Sequence, residues 1–190
     1  GLGDVYKRQI TDTELDICYY KAAAQYAGGD IEGALATYQA MIGYDEKNGN
    51  AYYLHGCLSL KQQDLDTAKK DFANAVKYNP NDYELYVGIY ENLAGNNMAE
   101  EGEEYLNKAF DIKGNSAENL TWRGRIYYLL GQYENAVKEL EEAVKKDSAK
   151  ANLYLAQVYE AEEDSANAEK YYQAYVDSGT ADSVAMNALA

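Results

Sequence analysis

Residues 49–82 read GNAYYLHGCLSLKQQDLDTAKKDFANAVKYNPND. This stretch holds two helix-forming runs, Ala51–Lys61 and Leu65–Tyr78, broken by Gln62-Gln63-Asp64. Asp64 can cap the second run by accepting from its free amides. Asn79-Pro80-Asn81-Asp82 closes the unit, because proline cannot continue a helix and biases the residue before it away from the α region.

The same unit recurs every 34 residues. Ala22, Gly56, Tyr90 and Gly124 keep that spacing, as do Ala34, Ala68, Gly102 and Ala136. Two bulkier lines run Tyr38, Phe72, Leu106, Leu140 and Met41, Ala75, Ala109, Ala143. After a shortening by two residues the lines continue at Ala156, Ala168, Tyr172 and Tyr175. A fixed period of this size means stacked copies of a small unit, none of which buries its apolar face alone. Small residues let the paired helices approach to about 8–10 Å. The expected repeats are 15–48, 49–82, 83–116, 117–148 and 149–180, with a half repeat at 181–190, all in one domain from 10 to 190. The third repeat is the loosest: Tyr90 stands where a small residue is expected, and Gly102 costs helix stability.

Composition removes several functions. A net charge of −15 repels phosphate backbones and anionic membrane faces, so nucleic acid is a poor partner. The acids are spread along the chain and read as solvated faces. No stretch approaches the ~18–20 apolar residues that span a bilayer, so no membrane insertion is expected. The only cysteines, Cys18 and Cys57, make neither a disulfide framework nor a zinc pattern. His55 is the only histidine, and a lone helical histidine reads as a surface or packed residue rather than a ligand or base. Glu103/Glu104 and Glu141/Glu142 read as solvated helix surface, and Gly28-Gly29 is a turn without a phosphate-loop lysine. The chain is therefore not read as an enzyme, and no cofactor or metal is expected. Residues 1–9, GLGDVYKRQ, resemble the peptide encoded by translated sequencing-adaptor DNA and read as a non-native leader. Absence of a signal peptide then says nothing about export.

The repeat resembles the tetratricopeptide repeat. That family's unit is a 34-residue helix–turn–helix with small residues at its eighth and twentieth places, an aromatic near the twenty-fourth and proline near the thirty-second. Gly56, Ala68, Phe72 and Pro80 fit these places, and Gly124, Tyr127, Gly131, Tyr133, Ala136 and Ala143 fit the pattern in the fourth repeat. The family's early tryptophan is replaced by Cys18, Tyr52, Tyr86 and Leu120. The resemblance implies an all-α, right-handed α-solenoid of five helix–turn–helix repeats plus a C-terminal helix.

It also implies a concave surface lined by first helices, where extended peptides often bind. Carried onto this chain, the groove takes in Tyr19, Tyr20, Tyr26, Tyr53, Leu54, Glu91, Trp122, Arg125, Tyr128, Tyr154 and Gln157. Tyrosine offers flat apolar area and a polar tip at low entropic cost, which suits recognition. It equally suits packing in the seam between first helices. Trp122 beside Arg125 is the kind of pair that makes a hot spot. Arg125 either anchors a partner carboxylate or pairs with Glu91 on the neighbouring first helix. The lysine and asparagine set that holds chaperone C-terminal carboxylates is absent. The implied function is a binding module or scaffold for a peptide or protein segment, in which Trp122→Ala and Tyr154→Ala abolish capture while the fold persists. Self-association through the array's ends and a regulatory portion of a larger protein are the alternatives.

Overall fold

The computed structural model describes residues 12–179. The leader at 1–9 and the half repeat at 181–190 lie outside the described residues. Those described form ten helices and no strand: α1 Asp12–Ala27, α2 Ile31–Tyr44, α3 Gly49–Lys61, α4 Leu65–Tyr78, α5 Tyr83–Ala94, α6 Ala99–Ala109, α7 Ala117–Leu129, α8 Tyr133–Val144, α9 Ala149–Ala161 and α10 Ser165–Asp177.

Each hairpin is closed by the same local device. Gly29, Gln63, Asn97, Gly131 and Glu163 all adopt positive φ, between 60° and 83°. Two bonds tighten the helix end around each, as at Gln63 N–H to Leu60 O (3.0 Å) and Asp64 N–H to Ser59 O (2.9 Å). This is the Schellman arrangement, in which a left-handed residue lets the last carbonyls find donors. The next residue then caps the following helix. Asp30, Asp64 and Asp164 accept from the amides of Gly33, Thr67 and Asn167, while Gln132 makes no side-chain cap. Asn48, Asp82, Ser116 and Ser148 do the same for first helices.

The chain divides into two compact units at a boundary within α6, one ending at Tyr105 and the other beginning at Leu106. In the first unit α1 pairs with α2 and α3 with α4, while α3 packs on α2 and α5 rests on both α3 and α4. In the second, α7 pairs with α8 and α9 with α10, and α9 rests on both α7 and α8. Ala22, Ala34, Ala68, Ala136 and Ala156 are buried where paired helices touch. A methyl group on Gly124 would collide with Leu140, and one on Gly56 would sit 3.0 Å from the Phe72 ring. The bulky lines fill the cores: Phe72, Leu106 and Leu140 are fully buried, and Tyr38 and Tyr172 nearly so.

The third repeat solves the same contact with sizes exchanged. Gly102 brings bare backbone against Tyr90, and an added Cβ would lie 2.9 Å from its ring. The glycine is where the bulk of Tyr90 is absorbed.

Candidate functional site

Placement of the first-helix side chains separates seam from surface. In the first unit, Tyr19 is half-buried and its hydroxyl donates to Asn48 Oδ1 at 2.8 Å, the same oxygen that caps α3. Tyr53 fills the step between α3 and α5. Its hydroxyl accepts from Asn92 Nδ2 at 3.3 Å and lies against Gly88, where a Cβ would clash. Burial, and then the neighbouring Cys57 thiol, push the Tyr53 hydroxyl well above the usual phenol range. Burial likewise pushes the Cys57 thiol up to about 11, so it stays protonated and unreactive near neutral pH. Leu54 packs against the α1–α3 core. These three side chains hold first helices together.

Tyr20, Tyr26 and Glu91 face solvent instead. Tyr20 is 77% exposed and Tyr26 39%. Lys61 donates to the Tyr26 hydroxyl and lies over its ring, 4.7 Å from the centroid. Glu91 is exposed on α5.

In the second unit the named residues converge. Trp122 and Arg125 are three apart on α7, hence on one face. The Arg125 guanidinium lies between two rings, 5.6 Å from the Trp122 centroid and 5.2 Å from that of Tyr154. Its Nη1 donates to the Tyr154 hydroxyl at 2.9 Å. Lys150, four residues before Tyr154 on α9, places its ammonium 5.2 Å from the Trp122 centroid. Two cations and two rings thus form one patch across α7 and α9. Contacts of this kind are worth about 0.5–1 kcal/mol each when exposed and more when desolvated.

The patch differs from expectation in two ways. Tyr154 is only 4% exposed and belongs to the α7–α10 core, so Tyr154→Ala removes core packing together with the hydroxyl that Arg125 contacts. Lys150 is a member that sequence reasoning missed; the signal was its place four residues before Tyr154, one helical turn away. Tyr128 is half-buried against Tyr133, with centroids 6.0 Å apart, and burial raises its hydroxyl. Gln157 is half-buried on α9. Arg123 is spent on structure, binding Glu139, the Gly114 carbonyl and Asn115.

His55 lies away from this patch as a buried partner of Asp71 across the α3–α4 pair, Nδ1 to Oδ2 2.6 Å. Among the described residues no group of three or more His, Cys, Asp or Glu is arranged to hold a metal ion. No described helix is long and apolar enough to cross a membrane.

Comparison with known proteins completes the picture. Two segments, 49–82 and 123–183, match family models described as tetratricopeptide repeat, and between them they cover half of the chain. No curated protein matches the chain in sequence. Among solved structures, PilW, described as a widely conserved type IV pilus biogenesis factor, is 18% identical with a TM-score of 0.58, over 94% of this chain and 84% of that one. A thermophilic TPR protein of Thermus thermophilus, TTC0263, is 20% identical with a TM-score of 0.57, over 92% and 98% of the two chains. YrrB, described as a TPR protein with an unusual peptide-binding site, is 20% identical with a TM-score of 0.51, over 88% and 87%. At these identities the likeness is one of fold.

Proposed function

The chain belongs to the tetratricopeptide repeat family, and from that premise we propose that it is a non-catalytic protein–protein interaction module that grips a peptide or protein segment on its first helices. The observation that carries this reading is the α7–α9 patch, where a half-buried indole is flanked by Arg125 and Lys150 and backed by Tyr154. On a chain of net charge −15 such a local pair of cations selects a segment that brings a carboxylate beside an apolar group. The peptide-binding description of YrrB supports the class of ligand. The lone histidine is buried against Asp71 within the α3–α4 pair, away from the patch.

The test selects peptides from a displayed library against the intact chain. Trp122→Ala is expected to weaken the selected peptides by about 2 kcal/mol, roughly thirtyfold, with helicity unchanged. Tyr154→Phe, which keeps the core ring and removes the hydroxyl that fixes Arg125, is expected to weaken them less. Undiminished binding by the Trp122 variant would remove the patch as the site. A second reading, self-association, has its own observation: Ile17 is 60% exposed and Tyr20 77%, three residues apart on α1. Light scattering over a dilution series decides it, a constant monomer mass excluding self-association.

A further inference from the structure

A cavity of about 410 Å³ opens between α1 and α2, lined among others by Cys18, Lys21 and Gln25 on one helix and Ala36, Ala40 and Tyr44 on the other. Its volume falls within the range of about 300–1,000 Å³ typical of ligand pockets. The next repeat shows what belongs there. Shifted by 34 residues, Cys18 becomes Tyr52 and Tyr44 becomes Tyr78. Tyr52 and Tyr78 stack, with centroids 5.8 Å apart and planes inclined by 22°. In the first repeat the tyrosine that should lie on Tyr44 is a cysteine, and space is left in place of a ring. The small residues Ala36 and Ala40 widen it where the second repeat has Lys70 and Asn74.

A second feature belongs to Tyr44 itself. The Tyr44 hydroxyl oxygen is buried, yet it has no hydrogen-bond partner among the described residues. Buried polar groups are nearly always paired, because leaving one unpaired costs about 1–3 kcal/mol. The rim is ordered, with Thr37 Oγ1 donating to Gln25 Oε1 at 2.7 Å. Lys21 is exposed at the edge.

We propose that the first repeat carries a socket for a tyrosine side chain of a partner segment, its ring seated on Tyr44 as Tyr52 is seated on Tyr78. The internal precedent favours a protein side chain as the occupant. The socket is lined by α1 and α2 alone and does not depend on the Trp122 patch.

The experiment titrates the full chain with N-acetyl-L-tyrosinamide and, separately, with 4-methylphenol, following backbone amide shifts of Ala36, Ala40 and Tyr44. Saturable shifts with the capped tyrosine are expected. Cys18→Tyr supplies the ring from the chain itself, so it is expected to weaken the capped tyrosine at least tenfold and to raise the melting temperature. Ala40→Met blocks the same space from α2 and is expected to weaken binding similarly if the first variant folds poorly. No saturation with either probe, or undiminished binding by both variants, overturns the socket. Tighter binding of 4-methylphenol than of the capped tyrosine overturns the assignment to a partner's side chain.

Discussion

His55 and Asp71 form a buried contact at 2.6 Å, 8% and 7% exposed, linking α3 to α4. Removing one partner strands the other in a packed seam, whereas replacing both with apolar groups of similar shape is close to neutral. Asp71→Ala is therefore expected to cost roughly 1–3 kcal/mol in urea unfolding. The His55→Leu/Asp71→Leu double variant is expected to lie nearer the native stability than that single change. Equal losses in the two proteins would show that packing volume, not pairing, sets the energy. Nothing in the sequence marks this pair. A lone histidine reads as surface or core with equal ease, and Asp71 belongs to a charged run on α4. Only the closeness of the two helices, set by Gly56 against Phe72, brings them together.

At the scale of elements, the turn between paired helices repeats five times with one left-handed residue in each. Glycine fills that place in the first and fourth turns, whereas Gln63, Asn97 and Glu163 carry a side chain there at φ between 60° and 63°. A non-glycine residue in this region pays roughly 1–2 kcal/mol, partly offset by the entropy that glycine loses on folding. Gln63→Gly and Glu163→Gly are each expected to raise stability by up to about 1 kcal/mol, measured by thermal unfolding. A loss on both would mean that the side chains make contacts outweighing the strain. The breaks themselves were legible, because Gly-Gly-Asp, Gln-Gln-Asp and Glu-Asp recur in phase. Helix identity and pairing were legible for the same reason. The exchange of Tyr90 with Gly102 was not, since each residue taken alone departs from the pattern and only their contact explains both.

Across the whole molecule, burial is the first cause that raises tyrosine hydroxyls in both units: Tyr19, Tyr38 and Tyr53 in one, Tyr128 and Tyr172 in the other. The fold therefore prefers the neutral phenol. That stability is fully present below the unfolded value near 10 and is lost as pH rises through the higher folded values. The Cys57 thiol, raised to about 11, acts in the same direction above its ordinary value near 9. Absorbance at about 295 nm during an alkaline titration is expected to show a set of tyrosines that ionises only as helicity collapses. A single transition at the ordinary phenol value would contradict this.

The candidate site was only partly legible at this scale. First-helix positions gathered Trp122, Arg125 and Tyr154, which the structure brings together, and also Tyr19, Tyr53 and Leu54, which it packs between helices. Seam and surface differ in what the neighbouring helix presents: Gly88 makes room for Tyr53 and Asn92 donates to its hydroxyl, while Tyr20 meets solvent. The period carries no such information.

Trp122, the only tryptophan, gives the most direct test of the central claim that the α7–α9 patch is what this molecule offers to other proteins. Its emission is followed while a selected peptide is titrated into the intact chain. A blue shift that saturates with the binding isotherm, and that is lost in parallel in Arg125→Gln and Lys150→Gln, is the expected result. Saturable binding by an independent readout, with Trp122 emission unchanged throughout, would contradict the claim.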